Sequence, residues 1–98
     1  MEKLTRDQAW KILEKVEHPA INFSLAQLGI LKDIDISGEM LTITLALPFP
    51  NIPIIDTLIN SLVEPLSDYE MEIGIETILM TEQEKQHFFD LEHKGWKK

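Results

Sequence analysis

Apolar residues follow two different periods along this chain, and the switches between them mark its elements. Ala9, Ile12, Leu13 and Val16 recur at i, i+3, i+4 and i+7, the spacing of one face of an amphipathic helix. Thr5 and Gln8 precede that stripe and predict a capping box, in which each side chain satisfies the other's backbone N–H. His18-Pro19 ends the helix, because proline disfavours helical geometry in the residue before it. Trp10 borders the stripe. Residues 20–29 show no clear period; Ser24 is placed to cap a short turn holding Leu25 and Leu28, and Gly29 to close it.

The period then becomes two. Ile30, Ile34 and Ile36 point one way and Asp33 and Asp35 the other, with Lys32 as the exception. Ser37-Gly38 is a turn signal. Leu41, Ile43 and Leu45 alternate with Thr42 and Thr44, so the two runs predict a β-hairpin with one apolar face. Pro48 and Pro50 cannot donate to a ladder and end the second strand. Asn51 is the expected N-cap, and Pro53 suits the first turn of the next helix. Ile54, Ile55, Leu58, Ile59, Leu62 and Val63 trace that helix, and Pro65 stops it near Glu64.

A third strand is predicted where Met71, Ile73, Ile75 and Thr77 alternate with Glu70, Glu72, Gly74 and Glu76. Its alternation describes a half-solvated strand. Thr81 and Glu84 form a second capping box, followed by a helix through Phe88 and Leu91 that Gly95 stops. The order is α-β-β-α-β-α. Its strand–helix–strand crossover is right-handed by general preference and makes its two strands parallel. The predicted fold is α+β in two layers: a mixed three-stranded sheet with helices packed on one face, one domain over residues 1–98.

Charge and composition narrow the function. The net charge of −8 argues against nucleic acid, whose binders need a basic patch, and against docking on anionic membranes. The absence of cysteine excludes disulfides, thiolate metal sites and thiol catalysis. The start MEKLTRDQAW lacks the apolar core of a signal peptide, and no apolar run approaches the ~20 residues of a membrane span. A cytoplasmic location is expected.

Three stretches carry a family resemblance: VEHPAINFSLAQLGIL at 16–31, LKDIDISGEMLTITLAL at 31–47 and PFPNIPIIDTLINSLVEPL at 48–66. In order and spacing the chain, over roughly residues 5–80, resembles the small iron–sulfur cluster assembly domain. That domain occurs in Suf-pathway accessory proteins, in cytosolic cluster-targeting proteins and at the N-terminus of Mrp-type ATPases. Where the family has an Asp-Pro-Glu-like triplet, this chain has Glu17-His18-Pro19; Gln27 stands before Leu28-Gly29-Ile30, where the family has an acidic residue. Many members carry a Cys-Pro pair in the strand-to-helix loop, with the cysteine as candidate cluster ligand. Here the loop is Pro48-Phe49-Pro50-Asn51-Ile52-Pro53, and Leu47-Pro48-Phe49 looks more like the Mrp-type domain. Clusters are mostly held by thiolates, so the resemblance implies an adaptor more than a carrier. No GxxxxGK[ST] phosphate loop is present, so the ATPase itself is not here.

The resemblance implies a partner-binding surface at Pro48, Phe49, Pro50 and Asn51, with Glu17 and His18 from the triplet position. Phe49 is either an exposed anchor or an inward cap on the core. The histidines, His18, His87 and His93, read as surface residues before they read as metal ligands. His87 and His93 face different ways on a helix. Asp33, Asp35, Glu70, Glu72 and Glu76 share the sheet's polar face, where solvation is the plain reading of a carboxylate cluster. Ser24, Ser37, Ser61 and Ser67 stand in no nucleophile motif. Phe88 and Phe89 lie ~100° apart on a helix, so one of them, with Trp96, is left to meet another protomer or to fold back.

The expected function is a non-enzymatic accessory or adaptor in iron–sulfur cluster assembly or delivery. It has no resident cofactor or metal, and its partners are assembly or client proteins. The alternative is a homo-oligomeric interaction domain of the same fold without an iron–sulfur role. A hydrolase-like or metal-dependent enzyme built on His18 is the weakest reading.

Overall fold

The computed structural model describes residues 4–50, 53–69 and 71–96. Helix α1 spans Arg6–Leu13, strands β1 and β2 span Leu31–Ser37 and Met40–Leu47, helix α2 spans Ile55–Val63, strand β3 spans Glu72–Leu79 and helix α3 spans Glu82–Gly95. The sheet runs β1-β2-β3, with β1 and β2 antiparallel and β2 and β3 parallel. The fold is the α+β arrangement that the periodicity predicts.

Both capping boxes form. Thr5 Oγ1 accepts from Gln8 N–H at 3.2 Å while Gln8 Oε1 accepts from Thr5 N–H at 3.0 Å. Thr81 and Glu84 repeat the exchange at the start of α3, at 3.2 and 2.9 Å. The hairpin turns at Gly38, whose φ of +62° suits the first central position of a type II′ turn.

Helix α1 is shorter than its apolar stripe. It ends at Leu13, and Val16 and His18 pair instead with the segment after them. Leu25 N–H donates to the Val16 carbonyl at 2.9 Å, and His18 N–H donates to the Phe23 carbonyl at 3.1 Å. A Glu17–Ser24 bridge lies between. Those tertiary bonds replace the last helical turn that the stripe alone would continue.

The Lys32 exception also has a cause. Leu31 sits opposite Leu45, yet Asp33 sits opposite Thr44; two steps along β1 match one along β2, which is a β-bulge. The extra residue puts Leu31, not Ile30, in the row with Ile34 and Ile36. Ile30 moves to the opposite face beside Ala46, whose N–H donates to its carbonyl at 2.8 Å.

Pro53 precedes α2 instead of opening it, and Ile54 occupies the cap with no side-chain bond. Asn51, the expected cap, lies outside the described residues, as does Glu70. Past Val63 the chain tightens into a single 3-10 turn, Glu64–Leu66, that accommodates Pro65. Strand β3 runs two residues past Thr77, to Leu79.

Leu13, Ile34, Leu41, Ile43, Leu45 and Leu62 have no solvent exposure; each such side chain contributes about 1.5–3 kcal/mol of burial. On the sheet's other face, Asp33, Asp35, Glu72 and Glu76 are exposed. Helix α3 closes one end of the molecule. It is pinned to the 20–32 segment by an ion pair between Lys32 and Glu84, a 2.8 Å bond between His87 Nε2 and the Gln27 carbonyl, and Asn22 N–H donating to the Gly95 carbonyl at 2.6 Å.

Candidate functional site

Strand β2 cannot extend past Leu47, since Pro48 has no N–H. Pro48 is buried, and the Leu47 carbonyl ends the parallel ladder by accepting from Met80 N–H at 2.8 Å. Burying Pro48 throws Phe49 outward, where it is 53 % exposed. It does not stand alone. Its ring centroid lies 6.0 Å from that of Phe89 on α3, and Phe88 meets Phe89 edge-on at 5.5 Å. The 100° step between the two phenylalanines divides them: Phe88 is buried, and Phe89 is exposed on the rim.

A groove of about 350 Å³ opens beside this aromatic seam. One wall is His18, Ala20 and Ile30; a second is Pro48, Phe49 and Pro53 with Ile54 and Leu58 below them. The third is α3, through Phe88, Phe89, Glu92 and Trp96. Ile30, just before the bulge at Lys32, reaches the groove from the start of β1. Trp96, 56 % exposed, is held by an isolated bridge to Ile21.

His18 is buried, not a surface residue. Its Nδ1 accepts from Ala20 N–H at 2.9 Å, which locks the His18-Pro19-Ala20 turn and sets the ring edge against the groove. Acceptance at Nδ1 places the proton of the neutral ring on Nε2. Glu17 points elsewhere: it is exposed and borders a separate shallow depression with Glu14, Lys15 and Ser24. The fold therefore gathers His18, Pro48 and Phe49 and leaves Glu17 out. Pro50 is exposed, and Asn51 lies outside the described residues.

Sequence reasoning did not connect the loop with Phe89, Glu92 and Trp96. The offset of Phe88 and Phe89 was the available signal, since it forces one ring outward. His87 is tied to Gln27, and His93 lines only a shallow surface hollow with Glu92 and Trp96.

Among the described residues, the groove's donors are one imidazole, His18, and one carboxylate, Glu92. Among the described residues no three histidine, aspartate or glutamate side chains gather as a metal site would need, and the chain has no thiolate. These residues do not fit thiolate ligation of a cluster. What the described residues of the groove offer is an apolar floor, three exposed aromatic rings and one acid.

Residues 6–71 match the sequence model of the iron–sulfur cluster assembly protein family. The chain belongs to that family. In fold, it is similar to the crystal structure of a domain of unknown function, DUF59, from Bacillus anthracis. The two superpose with a TM-score of 0.68 at 17% identity, over 88% of this chain and 90% of that one. No curated protein matches the chain significantly. No described helix of this family member is long and apolar enough to cross a membrane.

Proposed function

We propose that this family member is a non-enzymatic, cytoplasmic accessory or adaptor in iron–sulfur cluster assembly or delivery. It acts through protein contacts at the groove between the Pro48–Phe49 corner and α3. The observation that carries the reading is the cluster of exposed Phe49, Phe89 and Trp96 around one apolar groove. It occurs in a chain of the iron–sulfur assembly family that lacks cysteine. Large apolar rings held rigidly in the open are characteristic of binding hot spots. The cluster itself is cargo handled by partner proteins, and the groove's task is to position such a partner.

Deletion of the gene, followed by complementation, tests this. Iron–sulfur enzyme activities per unit of enzyme fall in the deletion strain. The wild-type chain restores them and Phe89→Ala does not, although both accumulate to the same level. Unchanged activities in the deletion strain contradict the proposal.

A further inference from the structure

The two edges of the sheet are finished differently. The β1 edge is obstructed. Its ladder is broken by the bulge at Lys32. Arg6 reaches across from α1: its Nε donates to the Ile34 carbonyl at 2.7 Å and its Nη2 binds Asp33 at 2.7 Å. A bulge, and a side chain that occupies an edge carbonyl, obstruct further strand pairing there.

The β3 edge has no such cover. Among the described residues, no strand lies beyond it. At its two ends Glu72 N–H donates to the Glu39 carbonyl at 2.9 Å and Met80 N–H to the Leu47 carbonyl at 2.8 Å. A ladder of period two between them directs the backbone groups of the even residues to β2 and those of Ile73, Ile75, Thr77 and Leu79 to the open side. Among the described residues, no turn or loop backbone group bonds to those four.

The side chains along this edge differ by face. Glu72 and Glu76 are exposed on the polar face, and neither has an ion-pair partner among the described residues. On the other face Ile73 and Ile75 are half-buried and Leu79 is 58 % exposed. We infer that β3 accepts an added strand from a basic partner: an extended segment that alternates lysine or arginine with aliphatic residues. Its cations lie beside Glu72 and Glu76, its aliphatics complete the cover of Ile73 and Ile75, and its backbone takes up the groups of the odd residues. A second copy of this chain is the poorer occupant. Antiparallel pairing of β3 with itself about a two-fold axis sets the acids of one copy beside those of the other, which is destabilising. The inference is independent of the groove.

The test uses the full chain, isotopically labelled, and a short synthetic peptide alternating lysine with valine. At saturation, amide exchange at Ile73, Ile75 and Thr77 slows by roughly tenfold or more, while Gly74 and Glu76, already bonded to β2, change little. A Glu72→Lys/Glu76→Lys variant keeps its amide spectrum elsewhere and binds the peptide about tenfold more weakly or worse. A peptide alternating glutamate with valine does not bind. Three results overturn the inference: no binding at millimolar peptide, shifts confined to the groove around Phe49 and Phe89, or protection of the odd amides that rises with protein concentration before peptide is added. The last would make a second copy the occupant.

Discussion

The ring of Phe49, at the corner after β2, stacks at a 39° tilt on the ring of Phe89 in α3, with centroids 6.0 Å apart. This contact joins the strand-to-helix loop to an element some forty positions later in the chain. Both rings remain exposed, so the pair holds the groove's rim in shape without entering the core.

Phe49→Ala should therefore separate binding from folding. Loss of a half-exposed ring with one aromatic neighbour costs about 1 kcal/mol or less. Denaturant unfolding should show a nearly unchanged midpoint, and affinity capture from native cells should lose the partners that wild type retains.

Phe88→Ala should do the reverse. Its ring is 6 % exposed, and truncating a buried phenylalanine costs about 3–5 kcal/mol. The urea midpoint should fall markedly, with exchange protection lost first in α3.

Gly95 is needed for close approach, since its φ is not in the left-handed region. A Cβ there would lie 2.6 and 2.7 Å from two Phe23 ring carbons and 3.2 Å from the Asn22 nitrogen. Gly95→Ala should push the Phe23 ring aside and weaken the Asn22-to-Gly95 bond. The expected loss is about 1–3 kcal/mol, read by thermal unfolding, with amide shifts concentrated at residues 21–23 and 93–96.

Two exposed, paired carboxylates make a small contribution to the acid response. The Arg6 hydrogen bond, helped by Ile34 N–H, holds Asp33 below its ordinary 3.8; the Lys32 hydrogen bond, helped by Thr81 N–H, holds Glu84 below its ordinary 4.5. Their stabilisation is complete above those ordinary values and is lost as pH falls through the lowered ones. Thermal midpoints should drop on acidification below about 4.5. The drop should be shallower in Lys32→Ala and Arg6→Ala, and small in all cases, because both pairs are exposed and screened by salt.

The strands, the order of elements and both capping boxes were legible because they rest on local signals: period, turn residues and reciprocal side-chain caps. Three features were not. The end of α1 at Leu13 depends on Val16 and His18 bonding to residues 23–25, and the Lys32 bulge depends on register with β2. Both are pairings between separated segments, to which a local period is blind. The convergence of Phe49 with Phe89 is a third. The proline-bound loop was recognisable, and so was the outward turn of one phenylalanine, but only the docking of α3 onto residues 20–32 brings them together. Glu17 lies apart from the groove for a related reason: it is adjacent to His18 in sequence, and the extended backbone there sends neighbours to opposite sides.

Site-specific photocrosslinking in the native cell tests the groove's role in partner contact. A photoreactive phenylalanine analogue is placed at position 49, with the same analogue at Lys11, on the exposed face of α1, as control. Position 49 should capture iron–sulfur assembly or client proteins, position 11 should not, and Phe89→Ala should abolish the capture. Capture of the same proteins from both positions, or of no iron–sulfur assembly or client protein from position 49, would contradict that role.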